Sequence, residues 1–366
     1  MATVTKTIGA TGRDYSTITA WEADLNDDTI YDAGDDAVGE CYDDADFDMQ
    51  NDFSLNGGAT LGLASVKLTV AEGERHDGTA GTGVRIYTST TTKYKWLPMP
   101  PNTTKYSLII EWIEFDGCDE GSGSNLMTGN SQTSTSYVTL VRNCIFHNVE
   151  SRWISSTSRD IRIQNNIFYN CGIGKNSYET IGIYLRNSYT GCGFYNNTMH
   201  YIRSGSTSTS AKLRHLYNSQ NATNTRIINN IGTHLDLPNS SSAHKYSFYS
   251  GTSKPPFSNT TRYKNNADEG ESAITYMLDG TAGSSACVTG VTPANIYQST
   301  TYGSEDLRLK SNTEILGSGV DVGTSDNLSI DIEGYDRDDA SAWDIGADQF
   351  VADTVLAGAS FAMFID

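Results

Sequence analysis

The chain of 366 residues carries a formal net charge of −19, because 44 Asp and Glu outnumber 25 Lys and Arg. Such a surface would repel DNA, RNA and acidic membranes, so we expect no nucleic-acid partner. With 21 Tyr, 34 Gly and only 19% charged residues, the composition excludes a wholly disordered chain and favours an all-β protein.

The first predicted unit, residues 1–52, contains a strand, a capping helix and an acidic loop. Ile18, Trp21 and Leu25 recur at helical spacing after a Ser-Thr start, which predicts a short amphipathic helix. The opening residues Met1–Lys6 lack the apolar core of a signal peptide. No stretch reaches the roughly 20 apolar residues of a membrane span, so we expect neither a span nor general secretory export.

The acidic loop spans Glu22–Asp52, has 13 carboxylates and no Lys or Arg, and is expected to be a solvated outer surface. Three of its acids have the alternating spacing of an oxygen-ligand loop: Asp44, Asp46 and Asp48. An EF-hand is excluded because Met49 and Leu55 stand where that loop needs Gly and Glu. The metal content therefore stays unknown, and weak divalent binding is a hypothesis. We expect no cofactor.

Residues 53–310 repeat one pattern, which is an apolar residue, a variable one, two Asn, a variable one and usually a large apolar residue. The second Asn position falls at residues 113, 144, 166, 197, 230 and 266, although Ile113 and Cys144 replace Asn there. The spacings of 31, 22, 31, 33 and 36 residues show a minimum of 22 with variable additions. Coils of fixed size with loops inserted at one corner give such spacings, which predicts a β-solenoid.

The Asn pairs suit a corner of each coil, since Asn tolerates left-handed backbone. On coils stacked about 4.8 Å apart, their amides can hydrogen-bond to one another. We predict a structural ladder of five residues: Asn143, Asn166, Asn197, Asn230 and Asn266. A row of amides that lines a ligand groove is the competing interpretation.

Two segments follow the coils. Residues 311–350 are predicted to close the solenoid, and residues 351–366 form an apolar tail. The tail is expected either to cover the open edge of the last coil or to dock on another subunit. Five of its residues are the predicted subunit contacts: Leu356, Phe361, Met363, Phe364 and Ile365.

Five segments carry a resemblance to a known superfamily: Gly12–Ile18, Asp306–Leu309, Ile315–Gly319, Asp331–Arg337 and Asp344–Phe350. The first resembles the opening strand and cap helix of right-handed parallel β-helix proteins of the pectate-lyase and pectin-esterase superfamily. The others resemble the closing segment of β-helix surface proteins. The resemblance implies an all-β, single-stranded right-handed parallel β-helix whose Arg and Asp-Ile-Gly-Ala segment finish the last coil. It implies no single activity, because the superfamily includes lyases, hydrolases, esterases, adhesins and phage spikes.

Catalysis on sugars by such a fold needs two or three carboxylates, or a carboxylate and a base, that converge on one face. The candidate acids are Glu111, Glu114, Asp116 and Asp160, and we do not expect their register to bring them together. The six His are scattered, and the sequence has no nucleophile elbow, HExxH motif or phosphate loop. We therefore predict no catalytic residues. The six Cys lack CxxC spacing and are expected to be free, buried thiols.

Three functions remain open at this point. Val4–Leu25 resembles proteins encoded in phage genomes, and a fold typical of extracellular proteins lacks a signal peptide. We expect a structural protein of the tailed-phage virion surface, made in the host cytoplasm, as a capsid decoration, fibre or spike component. Its expected partners are other virion proteins, further copies of itself with a trimer as one option, and surface glycans. A polysaccharide-degrading lyase or glycoside hydrolase is one alternative, and a non-catalytic carbohydrate-binding adhesin with sugar-stacking Tyr is the other.

Overall fold

The structure is a computed structural model of the chain. It describes residues 1–44, 46–49, 54–89, 98–99, 106–117, 125–129, 137–150, 152–156, 160–172, 179–185, 192–208, 211–218, 225–236, 244–250, 263–269, 287–311, 314–323 and 327–351. The architecture is a parallel β-solenoid of about six turns with very few helices, which confirms the predicted fold class.

Three parallel sheets form the walls of the solenoid, and strands are numbered in chain order. Sheet A contains β1 (Thr3–Ile8), β2 (Asp36–Cys41), β4 (Ser65–Val70), β7 (Ser107–Glu111), β10 (Thr139–Arg142), β13 (Ile161–Gln164), β16 (Gly193–Tyr195), β19 (Arg226–Ile228) and β22 (Tyr263–Lys264). Sheet B contains β3 (Phe47–Asp48), β5 (Arg85–Tyr87), β8 (Glu114–Asp116), β11 (Ile145–His147), β14 (Ile167–Cys171), β17 (Thr198–Arg203), β20 (Ile231–Asp236), β23 (Ala267–Asp268) and β24 (Val288–Thr289).

Sheet C contains β6 (Pro98–Met99), β9 (Asn125–Gly129), β12 (Arg152–Ser156), β15 (Glu179–Leu185), β18 (Lys212–Asn218) and β21 (His244–Ser250). An antiparallel hairpin of β25 (Tyr297–Thr301) and β26 (Ser304–Leu309) follows the coils. Among the described residues, the α-helices are α1 (Ile18–Ala23) and α2 (Pro293–Ile296), and short 3₁₀ turns cover Asp24–Asn26, Glu72–Glu74 and Arg337–Asp339.

The corner between sheets A and B lies at the Asn pairs. In the coil that contains β10 and β11, two residues separate the strands, and the first of them, Asn143, has a φ of 50°. The equivalent Asn165 and Asn196 have φ values of 54° and 53°. In these three coils one residue in the left-handed region therefore turns the chain from sheet A into sheet B, a conformation that Asn adopts more readily than most residues.

Identical positions stack along the solenoid axis and fill its interior. The rings of Phe115, Phe146 and Phe168 form a stack with centroid separations of 4.8 Å at both steps. This separation equals the distance between neighbouring strands, so each of these three coils adds one aromatic layer to the core. All three side chains are fully buried.

The N-terminal helix α1 covers the first coils. The Thr17 hydroxyl accepts a hydrogen bond from the Ala20 N–H and caps the helix. Trp21 is fully buried and lies against Gly39, where a Cβ atom would be 2.9 Å from the indole ring. Leu25 is also buried but belongs to the 3₁₀ turn that follows α1.

The acidic segment is more structured than a solvated loop, because it includes β2 and its carboxylates accept backbone hydrogen bonds. Glu22 accepts from Gly57 N–H at 2.8 Å, and Asp35 accepts from Ala2 N–H at 2.7 Å. Asp35 is only 5% exposed. Some carboxylates of the acidic segment therefore stabilise turns near the N-terminal end by accepting backbone hydrogen bonds.

Residues 314–323 and 327–350, here together called the strap, fold back along the side of the solenoid. Their backbone carbonyls accept hydrogen bonds from the first Asn of successive corner pairs. Asn265 donates to Ser318 at 2.7 Å and Asn229 to Val320 at 2.8 Å. Asn165, in an earlier coil, donates to Ile330 at 2.7 Å. The strap thus runs back towards earlier coils, whereas the resemblance implied a segment that finishes the last one.

The strap and the hairpin bury the outer face of sheet B. A second apolar cluster joins outward side chains of the coils, such as Ile145 and Ile231, to Tyr297 of the hairpin and to Ile332 and Ile345 of the strap. Where this cluster extends, sheet B is therefore covered on both faces, as parallel sheets usually are. Within the described residues, the helices are too short and polar to cross a bilayer.

Candidate functional site

Four of the five predicted ladder residues form one continuous row inside the solenoid, here called the inner Asn row: Asn166, Asn197, Asn230 and Asn266. Each side-chain N–H₂ donates to the side-chain oxygen of the next Asn, at distances of 3.0, 2.9 and 3.1 Å. Each side-chain N–H₂ also donates a hydrogen bond to a backbone carbonyl, for example from Asn197 to the Ile163 carbonyl at 2.9 Å. Because the amides bond to one another and to the backbone, the row acts as structure.

Asn143 lies elsewhere, because it is the first residue of its pair. Cys144 occupies the inner position of that coil, and its backbone N–H donates to the Asn166 side chain at 2.9 Å. The Asn143 side chain instead points to the strap and donates to the Ile330 carbonyl at 3.1 Å and to the Asp331 carbonyl. It belongs to an outer Asn row that sequence reasoning missed: Asn143, Asn165, Asn196, Asn229 and Asn265.

Of the four candidate acids, two are engaged in ion pairs on sheet A or at its edge. Glu111 is 2% exposed, with Arg142 Nε at 2.6 Å and Lys67 Nζ at 2.5 Å. Burial alone would raise the pKa of Glu111, but the two cations outweigh it and lower the pKa below its usual value. Asp160 pairs with Arg162 at 3.3 Å. Both acids stabilise the wall of the solenoid.

The other two acids meet a histidine on the outer face of sheet B. Glu114 and Asp116 are two residues apart on β8, so both point outward, and His147 follows in register on β11. His147 Nε2 lies 2.9 Å from Glu114 Oε1, and its Nδ1 lies 3.4 Å from Asp116 Oδ1. An imidazole between two carboxylates is suited to general acid–base chemistry or to metal binding.

Access to this cluster is restricted. Glu114 is 1% exposed and also accepts a hydrogen bond from the Gly81 N–H, and His147 is 6% exposed. The Tyr169 ring stacks on the imidazole with a centroid separation of 4.9 Å. Both His147 nitrogens lie against carboxylates, one face of the imidazole lies against Tyr169, and Glu114 links sheet B to the loop that contains Gly81.

The alternating acids of the N-terminal segment do not converge. Asp44 Oδ1 accepts from Ala10 N–H at 2.8 Å, and Asp48 Oδ1 accepts from Ser89 N–H at 3.0 Å. Asp46 pairs with Arg85 at 2.5 Å. Among the described residues, two groups of three bring possible ligand atoms within 4.8 Å of one another: Glu114, Asp116 and His147, and Asp331, Glu333 and Asp348.

Tyrosines stack along the outer face of sheet C. The rings of Tyr184 and Tyr217 lie 5.4 Å apart, in register on neighbouring strands. Arg152 lies 4.7 Å from the Tyr184 ring centre, and Arg214 lies 4.1 Å from that of Tyr217. Because the ring faces contact each other and the guanidinium groups, they are poorly placed for sugar stacking.

The cysteines and the tail complete the predicted features. Four Cys are buried free thiols and Cys287 is a partly buried one, while Cys118 lies outside the described residues. Burial raises the pKa of Cys192 to about 11, so this thiol is not activated. The predicted contact residues of the tail also lie outside the described residues: Leu356, Phe361, Met363, Phe364 and Ile365.

Buried histidines make the stability of the protein depend on pH. His215 is fully buried, with Nε2 2.9 Å from the Thr233 carbonyl, and burial lowers its pKa to about 3. An unfolded His has a pKa of about 6.5, so this stabilisation is complete above pH 6.5 and is lost as the pH falls towards 3.

For His215→Gln, we expect the loss of unfolding free energy between pH 7 and pH 5 to be smaller than in the wild type by about 2 kcal/mol. Urea titrations at both pH values measure this difference, and the interval from pH 7 to 8, where neither protein should change through this group, is the internal reference. Parallel stability curves for the two proteins would show that His215 is not a source of acid sensitivity.

A scan of protein-family models and searches of curated proteins and solved structures each found no match to this chain.

Proposed function

We propose that this protein is a non-catalytic structural component of an outer particle surface, in particular of a tailed-phage virion. The observation that carries the proposal is the coverage of sheet B by the strap and the hairpin. Glycan chemistry on a β-solenoid needs an open groove that exposes paired acids, and here the sheet that carries Glu114 and His147 is closed by the chain itself.

Rigidity and charge support a structural role. Each coil of the repeat adds a hydrogen-bonded Asn and a layer of apolar side chains, so stability grows along the solenoid axis. The net charge of −19 disfavours contact with packaged nucleic acid and suits the outside of a particle. The virion as the location rests on the resemblance of Val4–Leu25 to phage-encoded proteins.

Particle composition tests this proposal. Particles released by lysis of host cells that carry the gene are purified on a density gradient and probed with antibodies against the chain. We expect the protein to co-sediment with intact particles and to be labelled on their outer surface by immunogold microscopy. A protein that stays in the free fraction of the lysate, with particles unlabelled, would contradict the proposal.

A polysaccharide-degrading enzyme is the second candidate, because the contact of Glu114 with His147 is an acid–base pair. Depolymerase assays on a panel of acidic and neutral glycans separate the two candidates. Activity in the wild type that disappears in Glu114→Gln would favour the enzyme, and a glycan array reports separately on binding without cleavage.

A further inference from the structure

A second group of carboxylates gathers where the strap meets the hairpin. Asp331 and Asp348 are buried, with exposures of 0% and 2%, and Glu333 joins them from the solvent side. One oxygen from each carboxylate lies within 4.8 Å of the other two. Glu333 and Asp348 also line an open cleft of about 260 Å³, so solvent reaches the edge of the group.

One oxygen of this group has no hydrogen-bond donor. Asp348 Oδ2 accepts from the Leu309 N–H at 2.6 Å, whereas the buried Oδ1 has no hydrogen-bond partner within the described residues. The Glu333 carboxylate lies within hydrogen-bond reach of Asp348, and it offers only acceptors when it is ionised. A buried carboxylate in contact with another carboxylate is unfavourable unless a shared proton or a bound cation lies between them.

The nearby arginines do not fill this position. Arg337 is fully buried and directs its hydrogen bonds to other acceptors: the backbone carbonyls of Asp344, Gly346 and Asp348, and the side-chain oxygen of Gln349. Arg308 reaches Glu333 at 3.3 Å but also pairs with Asp306 at 2.8 Å. Arg337 attracts Asp331 and Asp348 through its charge, but within the described residues neither guanidinium donates a hydrogen bond to Asp348 Oδ1.

We propose that Asp331, Glu333 and Asp348 form a Ca²⁺ site that joins the strap to the hairpin. Three carboxylates supply only oxygen ligands, the set that a hard cation prefers, and the open cleft admits the water ligands that complete a coordination of six to eight. Asp348 is attached to β26 through Leu309, and Glu333 faces Arg308 of the same strand. Calcium bound here would tie both segments together, independently of where the protein is used.

The test uses the full chain after removal of divalent ions by EDTA, with Ca²⁺ alone as the probe. Isothermal titration calorimetry and melting temperature are measured for the wild type, Asp348→Asn, Glu333→Gln and the control Asp339→Asn. Asp339 is exposed, lies in the same strap and has no described role in the cluster. Glu333 is also exposed, so its variant is expected to fold even if Asp348→Asn does not.

We expect one saturable binding heat and a rise in melting temperature with Ca²⁺ in the wild type and in Asp339→Asn. Both responses should be lost or strongly weakened in Asp348→Asn and Glu333→Gln. Absence of calcium heat in the wild type, or responses in the two cluster variants as large as those of the wild type, would overturn the proposal. So would a calcium-insensitive wild type that becomes more stable from pH 7 to pH 5, because a shared proton would then bridge the carboxylates.

Discussion

Replacing Asn197 by Ala is expected to lower the free energy of unfolding by roughly 3–5 kcal/mol. Asn197 lies in the middle of the inner Asn row and is fully buried. Its oxygen accepts from the backbone and side-chain N–H groups of Asn166 at 3.1 and 3.0 Å. Its N–H₂ donates to Ile163 and Asn230, both at 2.9 Å. The truncation leaves these partners buried without a hydrogen bond, and each such group costs about 1–3 kcal/mol.

Equilibrium denaturation of Asn197→Ala measures this loss, with Asn295→Ala as the control. Asn295 is exposed on α2, so its replacement is expected to change stability by less than about 0.5 kcal/mol. If Asn197→Ala costs no more than the control, the inner Asn row does not stabilise the solenoid.

Replacing Arg337 by Met is expected to destabilise the protein by roughly 3–5 kcal/mol and to release the strap. Arg337 donates to the Gly346 carbonyl at 2.8 Å and to the Asp344 and Asp348 carbonyls at 3.4 and 3.3 Å. It is also the nearby cation that attracts the buried Asp331. Without it, these carbonyls lose a donor and the carboxylates lose a balancing charge.

Limited proteolysis together with denaturation tests the Arg337 prediction, since a released strap is cut before the coils. Arg203→Met is the matched control, because the Arg203 side chain is 46% exposed and forms a surface ion pair with Asp236 at 3.3 Å. Such pairs contribute about 0–1 kcal/mol. Equal stability losses in the two variants, or a protected strap in Arg337→Met, would contradict the role assigned to Arg337.

The solenoid was predictable because its signal repeats. An Asn pair at one phase of each coil indicates both the corner and the buried amide row, as Asn166, Asn197 and Asn230 demonstrate. The sequence pattern does not indicate that the first Asn of each pair faces the strap while the second joins the inner Asn row. Asn143 was assigned to the inner row although Cys144 occupies that position, and only the left-handed φ of the first Asn turns its side chain outward.

The Glu114–His147 contact carried a signal that sequence reasoning overlooked. Asp116 and His147 both lie three residues after the second Asn position of their coils, so they share one row of sheet B. A search for carboxylates that lie close to one another misses the Glu114–His147 contact, because one of its two partners is a His. The path of the strap could not be predicted in this way, since Asn143 and Ile330 are 187 residues apart and their contact has no repeat.

The central claim is that the strap is an integral wall of the solenoid that closes the outer face of sheet B. Hydrogen–deuterium exchange measured by mass spectrometry tests it most directly in the native protein. The Gly346 N–H donates to the Asn229 carbonyl at 2.9 Å, and the Ala347 N–H donates to Thr198 Oγ1 at 3.0 Å. We expect peptides covering 328–350 to exchange as slowly as those covering 161–171 of the coils. Rapid exchange of the strap while the coils stay protected would contradict the claim and leave sheet B open to a ligand.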